Sequence, residues 1–66
     1  MIITLNGKTR EFSGPMSVSQ LLAELGFESR PVVVELNQEP VFPRDHAERQ
    51  VEDGAVVEIV ALAAGG

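Results

Sequence analysis

The sequence predicts one α+β domain, in which a single main helix packs on one face of a mixed β-sheet. Three patterns predict it: a β-hairpin signal at the amino end, one capped amphipathic helix, and segments rich in β-branched residues after the helix. At 66 residues the chain has room for one domain. Because one helix cannot cover both faces of a sheet, the other face is expected to meet solvent or a partner.

The first element is a β-hairpin. Residues 1–5 place apolar side chains at alternate positions, which is typical of a strand with one buried face. Asn6-Gly7 follows, and both residues tolerate the positive φ angles that a two-residue type I′ turn requires. Residues 8–12 then return as the second strand.

The second element is an α-helix that begins after Ser17. Ser17 and Gln20 have the spacing of a capping box, in which each side chain binds a backbone amide at the start of the helix. Gly26 suits the left-handed conformation that ends a helix. The apolar residues between them recur at the spacing of one buried helix face: Val18, Leu21, Leu22 and Leu25.

The remaining strands follow the helix. Residues 32–36 predict the third strand by their β-branched composition. Prolines restrict any strand within residues 37–43 to a short edge piece, and Asp45 with Glu48 predicts one short helical turn. Residues 56–62 form the last strand. The order β-β-α-β-(β)-β is that of an α+β roll of the β-grasp kind.

The alternation of the last strand assigns its side chains to two faces. Glu58 is expected to point to water, so that Ala61 and the other odd-numbered residues of this strand face the helix. In the third strand Glu35 likewise turns Val33 outward. We expect an outward patch that docks a partner and is edged by charge, made of Val33, Glu35, Val56, Glu58, Val60 and Leu62. Surface valines without a function are the alternative.

The chain ends in ALAAGG, which offers no side-chain chemistry. Residues 63–66 are expected to form a flexible tail beyond a domain of residues 1–62, with a reach of about 13–14 Å when extended. Because Gly65 and Gly66 lack Cβ atoms, this tail is thin enough to enter a narrow channel. Its reactive group is the α-carboxylate of Gly66, which ATP can activate as an acyl-adenylate for attack by sulfur or nitrogen. A frayed terminus without function is the alternative.

Composition and net charge indicate which cellular compartment and which classes of partner to expect. A formal charge of −5 argues against nucleic acid and membrane partners and favours a basic one, although acidity that serves only solubility explains it as well. The chain contains no cysteine and no apolar stretch of about 20 residues, and from its first residues, MIITLN, we expect no signal peptide. We therefore expect a cytoplasmic protein.

The sequence does not predict an enzyme. His46 is the single histidine, and beside Asp45 and Glu48 it could suggest a metal or acid–base site, but a solvated residue on a short turn is the favoured explanation. No glycine-rich phosphate loop leads from a strand into a helix. We expect the chain itself to bind no metal or cofactor, and ATP to bind its partner.

Five stretches of the sequence resemble one family. They are the NG pair, the capped LLAELG helix, VVVELNQEPVFPR, DGAVVEIV and the GG end, and together they cover essentially the whole chain. In these stretches the chain is similar to the ThiS family of sulfur carriers, which are ubiquitin-like β-grasp proteins of thiamin biosynthesis. It departs from the family pattern at Ala55, where an aspartate is frequent, and at Ala64, where a third glycine is frequent.

The resemblance implies a sulfur-transfer function. A ThiF-type adenylating enzyme would activate the terminal carboxylate with ATP, and a cysteine desulfurase or related donor would supply sulfur to form a thiocarboxylate. Thiazole synthase would then use this sulfur for the thiazole ring of thiamin. On this chain Gly66 would be the acceptor, Gly65 and Ala64 would give the narrow approach, and the Asn37 region would join the outward patch as a docking surface.

Other functions fit the same residues. The small subunit of molybdopterin synthase resembles the chain in fold, GG end and adenylation, although it is usually longer. A ubiquitin-like modifier would end joined to a lysine and not as a thiocarboxylate. Outside the carriers, a small β-grasp interaction domain would keep its function without Gly66, whereas a carrier would lose it.

Overall fold

Residues 1–62 are described by the structure, a computed structural model. A mixed five-stranded sheet has the order β2-β1-β7-β4-β5, and β3 and β6 form a separate two-stranded ladder. The elements are β1 (Ile2–Leu5), β2 (Lys8–Glu11), β3 (Met16–Ser17), α1 (Val18–Glu24), β4 (Val32–Leu36), β5 (Glu39–Val41), a 3₁₀ helix (Pro43–Asp45), β6 (Gln50–Val51) and β7 (Val56–Ala61). The predicted α+β class, with one main helix and a mixed sheet, is confirmed.

The β1–β2 hairpin has the predicted turn. Asn6 and Gly7 have φ angles of 49° and 82°, as a type I′ turn requires. The resulting register places Leu5 opposite Lys8 and Ile3 opposite Arg10. Because register fixes which side chains are buried, the turn sets Ile3 and Leu5 into the core and leaves β2 exposed.

Helix α1 is capped as predicted. The hydroxyl of Ser17 accepts a hydrogen bond from the Gln20 amide at 3.1 Å, and the Gln20 side chain accepts one from the Ser17 amide at 2.8 Å. Gly26 ends the helix region with φ of 84°. This reciprocal pair satisfies backbone donors that the helix itself leaves free.

The short ladder of β3 and β6 was not predicted. It pairs Met16 with Val51 just before the helix begins. The segment before β6 also caps α1, since the carbonyl oxygens of Arg49 and His46 each accept from an amide of the first helical turn at 2.9 Å. The chain after β5 therefore closes over the start of the helix.

The core lies between α1 and one face of the five-stranded sheet. Val51 and Leu21 are fully buried there, which places β6 and the helix on the same side. Phe12, Met16, Leu25 and Phe27 pack around its rim. The buried apolar residues are Ile3, Leu5, Val18, Leu21, Leu22, Val34, Leu36, Val41, Val51, Ala55, Val57 and Ile59.

Two local predictions differ in detail from the structure. Ala61 was expected to face the helix; it is exposed, because it lies at the end of the sheet, beyond the last buried residue of its strand, Ile59. The helical turn expected from Asp45 is present, since the amides of Glu48 and Arg49 donate to the Asp45 carbonyl oxygen at 3.1 and 2.9 Å. It is preceded by a 3₁₀ turn that begins at Pro43, because the fixed φ of proline suits the first position of a helix. The short edge strand expected before it is confirmed as β5.

The predicted tail, residues 63–66 with Ala64, Gly65 and Gly66, lies outside the described residues. Within residues 1–62, no helix has the length and apolar character needed to cross a membrane.

Candidate functional site

Strand β7 leads into the tail and lies at the centre of the sheet. It pairs in parallel with β1 and antiparallel with β4. The β4 pairing extends to the end of the strand, where Ala61 lies opposite Val32, and the Leu62 amide then donates to the Pro31 carbonyl oxygen at 3.0 Å. The residues that precede the tail are therefore anchored to the folded domain up to Leu62.

Two asparagines bind β7 through their side chains. The Asn6 carboxamide accepts from the Ile59 amide at 2.8 Å and donates to the Ile59 carbonyl oxygen at 3.0 Å. The Asn37 carboxamide accepts from the Val56 amide at 2.9 Å, and the Asn37 amide donates to the Val56 carbonyl oxygen at 2.7 Å. Both asparagines have φ near 50° at the first position of a two-residue turn. Asn37 thus joins β4 to the start of β7, and its predicted docking role stays a prediction.

The outward patch is exposed as predicted. The exposed fractions are 48% for Val33, 43% for Val56, 59% for Val60 and 48% for Leu62. Val33 and Val60 are direct cross-strand neighbours, so their side chains adjoin on the open face. Leu62 follows Val60 by two residues at the exit to the tail. Val33 and Val60 therefore form an apolar pair on the open face near Leu62, the last residue before the tail.

Sequence reasoning missed two exposed apolar residues, Ile2 and Phe42, which are 50% and 52% exposed. Ile2 alternates with buried Ile3 and so lies on the open face at its far end. The β4–β5 register, continued by one residue, places Phe42 opposite Val33. The Arg44 guanidinium lies 5.3 Å from the centre of the Phe42 ring, a cation–π distance. Alternation from Ile3 and Val41 was the signal that would have found both residues.

The open face carries negative charge at its centre. Glu35 and Glu58 are direct cross-strand neighbours on β4 and β7. Neither takes part in an ion pair with another residue of the described range. Like charges placed opposite each other in a sheet are destabilising, so a cationic group of a partner would relieve this repulsion.

His46 serves the structure of the loop after β5. Its Nε2 lies 3.1 Å from the Val41 carbonyl oxygen, and the side chain is half-buried, so it is not the freely solvated residue expected from the sequence. Residues 1–62 hold no group of three or more histidine, aspartate or glutamate side chains close enough to bind a metal ion. His46 is therefore explained by its hydrogen bond within the fold.

The sequence that forms β7 and the outward patch belongs to a longer stretch that matches one protein family. The family model that describes the ThiS family matches residues 3–66. The chain belongs to the ThiS family. This ThiS-family chain is 38% identical over 65 residues to the sulfur carrier protein ThiS of Thermus thermophilus, covering 98% of the chain and all of that relative.

A second relative of this ThiS-family chain is much longer. A thiazole synthase of Paramagnetospirillum magneticum is 47% identical over 66 residues, which cover all of the chain but only 20% of that protein. The chain thus spans about a fifth of this relative's length. A stretch similar to ThiS therefore occurs inside a protein that is named for thiazole synthesis.

Solved structures of ThiS proteins share this fold. The crystal structure of the thiamine biosynthesis protein ThiS from Geobacter metallireducens superposes with a TM-score of 0.85 at 33% identity, with both chains fully covered. An NMR structure of a thiamine biosynthesis protein from the same organism gives a TM-score of 0.78 at 34% identity, covering 88% of that chain. The β-grasp, ubiquitin-like architecture predicted for the ThiS-family chain is confirmed by these neighbours.

Proposed function

We propose that this chain carries sulfur as a thiocarboxylate on Gly66 and delivers it for formation of the thiazole ring of thiamin. The carboxylate attacks ATP on a ThiF-type enzyme, which forms an acyl-adenylate and releases pyrophosphate. Sulfide, supplied as such or released from the persulfide of a cysteine desulfurase by a thiol reductant, then displaces AMP and leaves the thiocarboxylate. In this scheme the chain is the substrate of its partners and holds no ATP itself.

The role of sulfur carrier in thiamine biosynthesis follows from membership of the ThiS family. The observation that carries the proposal is the match of that family over residues 3–66, which includes the two terminal glycines. Strand β7 is consistent with it physically, because its last anchored residue, Leu62, lies four residues before Gly66, the proposed acceptor. A carboxylate at the end of so short a tail can enter the active site of a partner while the folded domain stays outside.

Thiazole synthase is the proposed acceptor of the sulfur. The longer relative supports this choice, because a stretch 47% identical to the chain occurs within a thiazole synthase. Two activities combined in one polypeptide are held at high effective concentration, which favours transfer between them. A carrier made as a separate protein must achieve the same encounter by docking.

The open face is the proposed docking surface for these partners. Val33 and Val60 adjoin each other near the end of β7, so a partner that covers them also lies close to Leu62, the last residue before the tail. Glu35 and Glu58 fit a partner that presents a lysine or arginine against them. The adjoining Phe42 enlarges the apolar part of this surface.

The proposal is tested by intact mass spectrometry after incubation with a ThiF-type adenylating enzyme, ATP and sulfide. We expect the mass of the chain to rise by the difference between one sulfur and one oxygen atom. A reaction without ATP is the control and should leave the mass unchanged. An unchanged mass in the complete reaction, or a product joined to a lysine, contradicts the proposal.

The biosynthetic pathway is tested by asking which acceptor enzyme removes the sulfur from the thiocarboxylate form of the chain. Purified thiazole synthase is expected to remove the sulfur and restore the original mass. The large subunit of molybdopterin synthase is offered in a parallel reaction. Discharge by that subunit alone would assign the chain to molybdopterin synthesis instead.

A further condition concerns the end of the chain in the cell. The proposed chemistry needs a free α-carboxylate on Gly66, and the longer relative shows that similar stretches also occur inside larger proteins. Intact mass spectrometry of the protein purified from its own cells measures this directly. A protein that continues past Gly66 without processing would have an ordinary amide at that carbon and would contradict the proposal.

The docking role of the open face is tested by Val60→Lys. We expect the KM for the chain in the adenylation reaction to rise about tenfold or more, because a charge replaces an apolar contact at the centre of a small interface. Ile2→Lys is the matched control, since it adds the same charge on the same face at the end remote from the tail. Equal effects of the two substitutions would argue for general electrostatics and against this docking site.

A further inference from the structure

The last residues of β7 are hydrogen-bonded differently on the side of β4 and on the side of β1. On the β4 side, backbone pairing continues to Ala61 and the Leu62 amide reaches the Pro31 carbonyl oxygen. On the β1 side, backbone pairing ends where the Asn6 amide donates to the Val57 carbonyl oxygen at 2.9 Å, since the chain then turns away into β2. Without a further contact, the last part of β7 would be a sheet edge on this side.

The Asn6 side chain supplies that contact. A carboxamide offers the same donor and acceptor as a peptide group, and here both bind the peptide groups of Ile59. The side chain therefore continues the parallel ladder by one step beyond the end of β1. Ile59 is 6% exposed, so its amide and carbonyl groups would otherwise be short of partners in a place that water reaches poorly.

We propose that Asn6 is a positioning residue for sulfur loading, which fixes the direction in which the chain leaves β7 toward Gly66. The inference rests on the proposed function, because it concerns how the terminal carboxylate is presented. Ile59 lies three residues before Leu62, so the Asn6 contact lies near the end of β7 that precedes the tail. With Asn6 in place, β7 is hydrogen-bonded on both sides as far as Ile59, so less order has to be gained in this strand when a partner engages its end.

The test is Asn6→Gly, which keeps the turn because glycine adopts positive φ readily, and removes both carboxamide bonds. In adenylation by a ThiF-type enzyme we expect the KM for the chain to rise about fivefold to tenfold, because the two hydrogen bonds that hold the end of β7 in place are lost. We expect kcat to stay within about twofold of the wild-type value. Amide hydrogen exchange at Ile59 is expected to accelerate more than exchange at Val57.

Ser17→Ala is the matched control for stability. It removes the cap of α1, which costs stability without touching β7, and both variants are assayed at a temperature where circular dichroism shows them folded. Ser17→Ala is expected to keep the wild-type KM. If Asn6→Gly does not fold, Asn6→Asp replaces it. The carboxylate still accepts from the Ile59 amide, but it lacks the donor and places a negative charge beside the Ile59 carbonyl oxygen, so KM is expected to rise here as well.

One set of results would overturn the positioning role of Asn6, and a different result would overturn the proposed sulfur-carrier function. A folded Asn6→Gly chain with the wild-type KM, or a Ser17→Ala chain with the same rise in KM, would make Asn6 a stabilising residue only. A wild-type chain that accepts no sulfur would instead overturn the proposed function, and this inference with it.

Discussion

Removal of Gly66 is expected to lower the rate of thiocarboxylate formation by more than about 100-fold. The truncated chain still ends in a carboxylate, but that group is withdrawn by about 3.3–3.6 Å, the length of one extended residue. A misplacement of about 1 Å at a reacting centre can already cost about 100-fold. The rate of the mass increase in the ATP-dependent loading reaction measures the effect.

The truncated chain also provides its own control for folding. The buried core runs from Ile3 to Ile59, so loss of the last residue should leave the urea unfolding midpoint of the protein unchanged. A truncated chain that loads at the wild-type rate would show that the position of the terminal carboxylate is unimportant. A truncated chain that still performs every cellular role would support an interaction domain in place of a carrier.

Replacement of Leu21 by alanine is expected to have the largest effect on stability. Leu21 is fully buried where α1 meets the sheet. Leu→Ala substitutions at such sites cost about 2–5 kcal/mol of unfolding free energy, because a cavity remains that the surroundings fill only in part. Domains of this size sit near the lower end of about 5–15 kcal/mol in stability, so much of the margin would be lost.

Urea unfolding followed by circular dichroism measures the loss. Leu25→Ala is the matched control, because it removes the same atoms at the end of the same helix, where the side chain is only half-buried. We expect its cost to be less than half that of Leu21→Ala. Equal costs would mean that burial between the helix and the sheet is not what fixes α1 in place.

Local chemistry explains which elements the sequence predicted well. The Asn6-Gly7 turn and the Ser17–Gln20 capping box are decided by residues that are neighbours in the chain, so their patterns can be read directly. The β3–β6 ladder joins residues more than thirty positions apart with two residues in each strand. Strands so short show no periodicity, and their pairing is set by the closure of the loop over α1.

In the candidate site, too, the sequence predicted the features set by neighbouring residues and missed those set by distant ones. Alternation placed Val33 and Val60 on the open face, but it did not bring in Phe42, because the flanking prolines made that segment read as a turn. The contact of Asn6 with Ile59 spans 53 residues and involves a side chain that the turn already explained. Its second role becomes visible only when β1 and β7 are seen side by side.

The parallel pairing of β1 with β7 decides where a label can be attached. The Gly54 amide donates to the Ile2 carbonyl oxygen, so the amino terminus lies at the start of β7, whereas Leu62 lies at its other end. An affinity tag or fluorophore joined to Met1 would thus sit remote from the exit of the terminal segment. Immobilisation through the amino end should leave the glycine pair accessible, and fusion after Gly66 should block it.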